Sequence, residues 1–301
     1  MRGLFQVRYR LAMARVTLDK VLYQARYMPS RVVYGNESGI RQSFRGSRRL
    51  AAMRRNGSSF EHPDPALGQA LREEGYAIAA PAVAPEVLQA VQAATWLCDD
   101  PTASVAMGGR IPDSVRYVVD PVAKVPELRD LLTPAAIDVI RGWFGSEFRV
   151  ASVRFWRIAS LAEAEQPFHH YGNLWHVDGH DLCMLKMFVQ IDNATAAGSA
   201  MRLLSKKTTA HVMRSGYLGP TKSGRYAQRV IDRETVCFDA PPGSMLFADT
   251  NNCLHRAGNP LPGETRAMVQ FWLKPCASPP PDGDYFAGMP PDQGVAAGSI
   301  A

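Results

Sequence analysis

The sequence reads WHVDGHD at residues 175–181 and continues as LCMLKMFVQI at residues 182–191. The second part is an apolar run with the length and composition expected of a buried β-strand. Just before it, His176 and Asp178 stand two positions apart, and alternate side chains of extended backbone point to the same side. One metal ion can therefore bind both, although a His-x-Asp pair also arises often by chance.

A second stretch supplies another candidate ligand. PGSMLFADT at residues 242–250 has the form of a turn and a strand, and it leads to LHRAG at residues 254–258. His255 follows His176 by 79 residues. Two histidines and one carboxylate form the facial triad that suits non-haem Fe(II) oxygenases, because coordination positions remain for a co-substrate and O₂. Zinc hydrolases use similar ligands, so the triad alone does not identify the metal.

Arg266 discriminates between these interpretations of the triad. It lies eleven residues after His255, at the start of a strand predicted over residues 267–273. A guanidinium there can bind a carboxylate through two parallel hydrogen bonds, as the distal carboxylate of 2-oxoglutarate requires. Taken alone, Arg266 is better explained as a surface arginine, but its combination with the triad is much more specific.

The rest of the chain predicts a mainly β fold with flanking helices. A strand is predicted at residues 76–79, and helices at residues 85–97 and 133–144. Short strands separated by turn signals follow, and they are predicted at residues 148–158, 182–191, 201–204, 236–238, 244–247 and 267–273. This pattern favours a sandwich or barrel, with jelly rolls and cupins among the alternatives.

Charge is distributed unevenly along the 301 residues. The net charge is +6, yet residues 1–55 carry 13 Lys and Arg against only Asp19 and Glu37, so the remainder of the chain is acidic. With 46% hydrophobic and 21% charged residues, the composition is that of a globular protein. A basic field is therefore predicted for the N-terminal arm only, and the acidic catalytic body argues against nucleic acid as a partner.

Three segments are predicted along the chain. They are a basic helix and linker at residues 1–60, the catalytic domain at residues 61–277, and a Pro/Gly-rich tail at residues 278–301 that wraps the surface or is mobile.

In the first segment, apolar residues recur at steps of three and four from Leu4 to Met28, which indicates a helix. This helix either packs on the body or on a second copy, or it lies peripherally on an anionic membrane surface. A monomer and a homodimer are both compatible with the sequence.

The five cysteines form no C-x-x-C pair, and their odd number leaves one unpaired in any disulfide scheme. No apolar run approaches the ~18 residues that a membrane span requires, and the N-terminus lacks the apolar stretch of a signal peptide. These features predict a soluble cytoplasmic protein.

Several stretches together resemble the phytanoyl-CoA dioxygenase-like family of Fe(II)/2-oxoglutarate oxygenases. They are LREEGY (71–76), WHVD (175–178), LKMFVQID (185–192), PGS (242–244) and HRAG (255–258), together with the spacing from His255 to Arg266. The resemblance extends over residues 71–273. It implies a double-stranded β-helix of the jelly-roll or cupin type, with Fe(II), 2-oxoglutarate and O₂ as cofactors and Arg266 on the 2-oxoglutarate carboxylate.

The activity that this resemblance implies is hydroxylation of a small organic molecule with release of succinate and CO₂. The same cofactors also support desaturation, epimerisation or cyclisation, and the substrate is not implied. Two other classes stay open: a Zn-dependent hydrolase, and a non-catalytic module that recruits partners through its basic arm.

The chain also departs from the family pattern. Many members have Ser two positions after the distal histidine, where this chain has Ala257. Lys186 is a candidate to replace that second contact to the co-substrate carboxylate, unless it is a solvated strand residue. Asn173 either touches the co-substrate or satisfies backbone groups in its loop.

Further residues have alternative interpretations. Arg154 and Arg157 alternate with aromatic residues, so they either face the substrate or form the polar face of a strand. Phe188 and Trp272 are predicted to fill the core. Residues 214–235, rich in Gly, Ser and basic residues, suit a lid over the active site.

Overall fold

The fold is derived from a computed structural model, which describes residues 64–99, 114–164, 166, 172–178, 184–194, 199–217, 219 and 223–290. The predicted N-terminal helix and linker lie outside these residues, as do His169, His170, His180 and Cys183.

Two antiparallel sheets form the centre of the described region. The larger has the strand order β1-β7-β4-β9-β3-β2, and the smaller has the order β6-β5-β8. The strands are β1 (Tyr76–Ala79), β2 (Val115–Tyr117), β3 (Glu147–Ala159), β4 (Leu185–Gln190), β5 (Met201–Leu203), β6 (Val236–Phe238), β7 (Met245–Ala248), β8 (His255–Arg256) and β9 (Thr265–Cys276).

The predicted strands are all present, which confirms a mainly β fold. Strands β1 and β6 have the predicted bounds, whereas β3 and β9 extend beyond their predictions at both ends. The extension arises because β3 and β9 pair with each other along almost their whole lengths, from Glu147 opposite Cys276 to Ala159 opposite Thr265. Long-range pairing of this kind adds residues whose own β-propensity is weak.

Six α-helices flank the sheets within the described residues. They are α1 (Pro65–Glu74), α2 (Pro85–Ala93), α3 (Pro121–Lys124), α4 (Pro134–Phe144), α5 (Lys206–Arg214) and α6 (Arg225–Glu234). Helix α4 begins where the sequence predicts, because Thr133 caps it by accepting from the Ala136 backbone N–H at 3.2 Å. The helix predicted over 85–97 is α-helical only to Ala93, and a 3₁₀ helix follows at Ala94–Asp99.

Helix α6 occupies half of residues 214–235, the segment that its composition predicts to be a lid loop. Its apolar side chains Ala227, Val230 and Ile231 are buried against α5 and against residues on the outside of the smaller sheet. The segment is therefore partly a packed helix.

Alternate residues of β9 contribute to different cores. Ala267, Val269 and Phe271 face the side covered by α1, α2 and α4. Met268 faces the opposite side, where Phe188 of β4 and Phe238 of β6 join it, so this second core lies between the two sheets. The face of the larger sheet that looks toward the smaller sheet is called the inner face below.

Residues 278–290 pack against the body. Of the two predicted alternatives for the tail, this segment follows the one that wraps the surface. The Tyr285 ring stacks on Phe148 with centroids 4.5 Å apart, and the Tyr285 carbonyl accepts from the Val150 N–H at 2.8 Å. Phe286 is buried beside Phe271.

Within the described residues, no helix combines the length and apolar character needed to cross a membrane. The four cysteines that the structure describes, Cys98, Cys237, Cys253 and Cys276, are all free thiols.

Candidate metal centre

The side chains of His176 and Asp178 converge with that of His255, which is 79 residues away in the sequence. The Nε2 atom of His176 lies 3.9 Å from Asp178 Oδ1, and the Nε2 atom of His255 lies 3.8 Å from Asp178 Oδ2. The ligand atoms of all three residues lie within 4.8 Å of one another. This cluster is compact enough for a single ion to contact all three side chains.

Backbone pairing creates this convergence. His176 and His255 form an antiparallel bridge, with N–H to carbonyl distances of 3.0 and 2.9 Å. The Asp178 N–H donates to the Thr250 carbonyl at 3.0 Å, in the connection that precedes β8. The His-x-Asp segment is therefore extended and lies beside β8, so His176, Asp178 and His255 project to the same side.

Hydrogen bonds orient both imidazoles. The Nδ1 atom of His176 lies 2.8 Å from the Leu174 carbonyl, and the Nδ1 atom of His255 lies 2.9 Å from the Cys253 carbonyl. A carbonyl can only accept, so each Nδ1 carries the proton and each Nε2 presents a lone pair to the site. Burial, and secondly the His255 imidazole, lower the pKa of His176 to about 3, which favours the neutral ring that a metal requires.

Asp178 is an ionised carboxylate despite its burial. Burial alone would raise its pKa, but the adjacent Lys186 ammonium outweighs that effect and holds the pKa far below its usual range. Lys186 Nζ lies 2.6 Å from Asp178 Oδ2. The donor set is thus two neutral imidazoles and one carboxylate, a combination that fits Fe(II) and other divalent transition metals.

A glycine that sequence reasoning missed supports His176. Gly172 has φ +85°, and a Cβ atom on it would lie only 2.9 Å from His176 Cε1. Its carbonyl accepts from the Ala257 N–H at 2.7 Å. Only glycine combines this backbone conformation with so close an approach to the ligand ring, and nothing in the local sequence indicates that requirement.

Arg266 lies on the inner face, opposite Ile158 of β3, and only 1% of it is exposed. The interpretation as a surface arginine is therefore wrong. Its guanidinium donates to the Ser199 carbonyl. Asp192 is nearby: burial raises the pKa of this carboxyl to about 6, and the Arg266 charge partly opposes the increase.

Lys186 lies on the inner face as well, but at a distance from Arg266. Its Cα partner on β9 is Trp272, six residues along the strand from Arg266, which corresponds to ~20 Å. Lys186 is 4% exposed, so it is not a solvated strand residue. The structure brings its ammonium to Asp178 rather than to the position of Arg266.

Asn173 is buried, and its Nδ2 donates to the Gln166 carbonyl at 3.2 Å, as the backbone-satisfying interpretation predicts. It also lines a cavity of about 250 Å³, together with residues that neighbour His176 and His255 in the sequence. The other residues that line this cavity are Leu161, Gln166, Leu174, Arg202, Arg256, Ala257 and Asn259.

Lys186 belongs to a cluster of polar and aromatic side chains on the inner face. Lys186 Nζ lies 4.7 Å from the centroid of Trp272, and Arg154 Cζ lies 4.5 Å from the same centroid. With the Gln270 amide oriented to satisfy its neighbours, its oxygen accepts from Lys186 Nζ at 3.2 Å and from Trp272 Nε1 at 3.0 Å. Trp272 is only partly buried, so its predicted role as core filler is wrong, whereas Phe188 does fill the core.

The comparisons with known proteins give structures but no sequence family. No family model matches the chain, and no curated protein is significantly similar to it. Iron-bound EctD from S. alaskensis superposes with a TM-score of 0.54 at 16% identity, covering 81% of this chain and 87% of EctD.

Two further solved structures superpose on this chain to a similar extent. EctD with 2-oxoglutarate and 5-hydroxyectoine gives a TM-score of 0.53 at 15% identity, covering 72% of this chain and 78% of that one. The non-haem α-ketoglutarate-dependent epimerase SnoN from nogalamycin biosynthesis gives 0.52 at 16% identity, covering 70% and 84%. The chain has the fold of these enzymes.

Proposed function

We propose that the protein is an Fe(II)- and 2-oxoglutarate-dependent dioxygenase that hydroxylates a small organic molecule. The observation that carries the proposal is the convergence of His176, Asp178 and His255, with both Nε2 atoms presented by hydrogen-bonded rings. The buried guanidinium of Arg266, on a strand facing the smaller sheet, supports it further. Solved structures of similar fold contain iron and 2-oxoglutarate.

The two sheets are proposed to be the halves of a double-stranded β-helix. Their shared core joins Phe188 and Met268 of the larger sheet to Leu203 and Phe238 of the smaller one. The triad lies where the segment holding His176 and Asp178 bridges β8 of the smaller sheet. This architecture and the motifs together support membership of the phytanoyl-CoA dioxygenase-like family.

His176, Asp178 and His255 would hold the iron, and Arg266 would bind the distal carboxylate of 2-oxoglutarate through two parallel hydrogen bonds. When bound, iron and 2-oxoglutarate supply the oxidising chemistry with O₂, and succinate and CO₂ are the co-products. Burial strengthens the Arg266 contact because few water molecules compete for the guanidinium.

The sequence suggests that Lys186 contacts 2-oxoglutarate. In this scheme, Lys186 instead holds the metal ligand Asp178. Its ammonium binds Asp178 Oδ2, which keeps the carboxylate ionised and limits its rotation. The carbonyls of Leu174 and Cys253 fix the two imidazoles in the same way. These contacts preorganise the ligand set, and Asp178 and His255 are themselves buried from water.

Substrate-stimulated succinate release is the direct test of this function. Protein purified without oxygen is supplied with Fe(II), 2-oxoglutarate and a metabolite library, and succinate is measured after air is admitted. Asp178→Ala is expected to abolish the stimulated release, because removing an ionised metal ligand disrupts the site. Retained turnover in Asp178→Ala would contradict the assignment.

The mass of the product separates the chemical outcomes. A gain of one oxygen atom indicates hydroxylation, and a loss of two hydrogen atoms indicates desaturation or ring formation. An unchanged mass accompanied by succinate release indicates epimerisation. Tightly bound zinc together with hydrolytic activity would replace the proposal by the zinc hydrolase, and a wholly inactive protein that binds partners would replace it by the binding module.

A further inference from the structure

Two cationic groups occupy separate places on the inner face. Arg266 lies opposite Ile158 on β3, whereas Arg154 lies opposite Gln270, four residues farther along β9. Strand geometry separates the two rows by ~13 Å. The Arg154 guanidinium lies against Trp272, which is two residues beyond Gln270, so it leans away from Arg266. The two guanidiniums are therefore too far apart to bind the same carboxylate or phosphate.

Lys186, Arg266 and Arg154 differ in their counter-ions. Lys186 is neutralised by Asp178 at 2.6 Å. Arg266 has Asp192 nearby and, under the proposed function, the distal carboxylate of 2-oxoglutarate. Among the residues that the structure describes, Arg154 has no carboxylate within salt-bridge distance. Of these three positive charges, the charge of Arg154 is therefore the one that a further anionic ligand can balance.

The surroundings of Arg154 hold it in a defined position. Its guanidinium stacks on the Trp272 ring, and Gln270 accepts a hydrogen bond from the Trp272 indole N–H. Stacking restricts the side chain but leaves the N–H groups in the plane of the guanidinium able to donate. Both Arg154 and Trp272 are partly exposed, so a ligand can reach them.

Arg154 is also connected to the metal centre. Trp272 contacts Arg154 and Lys186 together, and Lys186 binds Asp178. A ligand held by Arg154 and Trp272 would extend over the inner face toward the triad, on the side away from Arg266. That is the side left for the molecule to be oxidised when 2-oxoglutarate occupies the Arg266 side.

We infer that Arg154 and Trp272 form a subsite for an anionic group of the primary substrate, a carboxylate or a phosphate. The inference rests on the proposed function for the position of 2-oxoglutarate. It narrows the substrate class to small anionic molecules, with Trp272 holding the Arg154 guanidinium in place beside the bound anion. Arg154 donates paired hydrogen bonds to the anion and sets its orientation relative to the iron.

Binding of matched probes tests the subsite without requiring turnover. Phenylacetate, phenyl phosphate and the neutral phenylacetamide are titrated by calorimetry into the full-length protein under nitrogen, with and without Fe(II) and 2-oxoglutarate. We expect at least one of the two anions to bind about tenfold or more tightly than the amide, which is the effect of one charge-assisted hydrogen bond. The stronger anion identifies the carboxylate or phosphate class.

Three variants complete the test. Arg154→Gln is expected to remove the preference for the anion, and Arg154→Lys to keep part of it because the charge remains. Arg149→Gln, the same change at an exposed arginine of β3, is expected to keep the whole preference. Unfolding temperatures establish that each variant is folded.

The inference is overturned if the wild-type protein binds anion and amide equally, if Arg154→Gln keeps the preference, or if 2-oxoglutarate displaces the anion. Failure of the proposed function has a different signature. If the preference for the anion depends on Arg154 but no succinate is released with any compound, the anion subsite is supported and the oxygenase is not.

Discussion

At the scale of residues, the candidate centre depends on a few close contacts around its ligands. The imidazoles of His176 and His255 are turned by backbone carbonyls, and the carboxylate of Asp178 is fixed by Lys186. Gly172 gives the His176 ring the space that it needs. Each contact orients a ligand atom without binding a metal itself, so changes at these positions should alter metal affinity more than stability.

Gly172→Ala tests the contact at His176. The new Cβ would lie 2.9 Å from His176 Cε1, so the ring must move from its position. We expect Fe(II) affinity, measured by anaerobic equilibrium dialysis, to fall about tenfold or more. Gly263→Ala is the control, because Gly263 has φ +84° but no neighbouring atom within 4 Å of the place that a Cβ would take.

Both changes carry a similar backbone strain of about 1–2 kcal/mol. Equal Fe(II) affinity in the two variants would show that the close approach at His176 has no part in orienting the ligand.

The convergence of the triad could be predicted from sequence because short local patterns carry its ligands: a His-x-Asp pair and a strand ending in a histidine. The role of Arg266, inferred from its spacing to His255, stays a prediction. The contacts of Lys186, Arg154 and Trp272 could not be predicted. They depend on which strands of the larger sheet are neighbours and on the register between β3, β4 and β9. That register brings together residues distant in sequence, and no local pattern encodes it.

At the scale of elements, strands were easier to predict than helices. The strands are rich in β-branched and aromatic residues, and turn signals separate them. Helix α5, with the sequence KKTTAHVMR, contains β-branched residues of low helix propensity, and α6 is mostly charged. Packing of Val212 and Met213 against Ala227 and Ile231 stabilises the pair, and this tertiary contribution is invisible to local propensity.

The connection between β7 and β8 should respond to pH through Asp249. This residue is buried, its backbone carbonyl accepts from the Asn252 and Cys253 N–H groups, and its Oδ2 accepts from Asn252 Nδ2 at 2.8 Å. Burial raises the pKa of Asp249 to about 6, above the ordinary value near 4. The folded state therefore binds this proton more tightly than the unfolded state does.

The contribution of Asp249 to stability is consequently present at low pH and lost as the pH rises through 6. Asp249→Asn removes the buried charge but keeps an oxygen that can accept from Asn252. We expect it to raise the free energy of unfolding by about 1–2 kcal/mol at pH 8 and by little near pH 4, measured by urea denaturation.

Asp239→Asn, at an exposed carboxylate, serves as the control for Asp249→Asn. If Asp249→Asn destabilised the protein equally at both pH values, the carboxylate would be needed for hydrogen bonds that an amide cannot make.

At the scale of the whole molecule, the described parts form two sheets with a shared core, a helical layer outside the larger sheet, and α5 with α6 outside the smaller one. Residues 278–290 belong to the helical layer. The Phe286 ring packs beside Phe271 with centroids 6.3 Å apart, and Arg129 Cζ lies 4.7 Å from the Phe286 centroid. The C-terminal segment thus stabilises the side of the molecule opposite the metal centre.

Phe286→Ala should therefore lower stability without affecting the site. Phe286 is 7% exposed, and truncating a buried phenylalanine costs about 3–5 kcal/mol when the cavity does not collapse. We expect a loss near the lower end of this range in urea unfolding, because the segment is peripheral, with unchanged Fe(II) affinity. Leu261→Ala, at a residue 45% exposed, should change stability by less than about 0.5 kcal/mol. An equally small loss for Phe286→Ala would mean that residues 278–290 do not stabilise the fold.

We propose that His176, Asp178 and His255 bind Fe(II) and that Arg266 secures 2-oxoglutarate on it. The most direct measurement is an anaerobic titration of Fe(II) and then 2-oxoglutarate, followed by the visible charge-transfer absorption of the chelate. We expect the band to saturate at one equivalent in the wild-type protein and to be absent in His176→Ala. In Arg266→Gln, half-saturation of the band should require at least about tenfold more 2-oxoglutarate than in the wild-type protein. A wild-type protein without the band, or a His176→Ala variant that keeps it, would show that these residues do not hold the iron chelate.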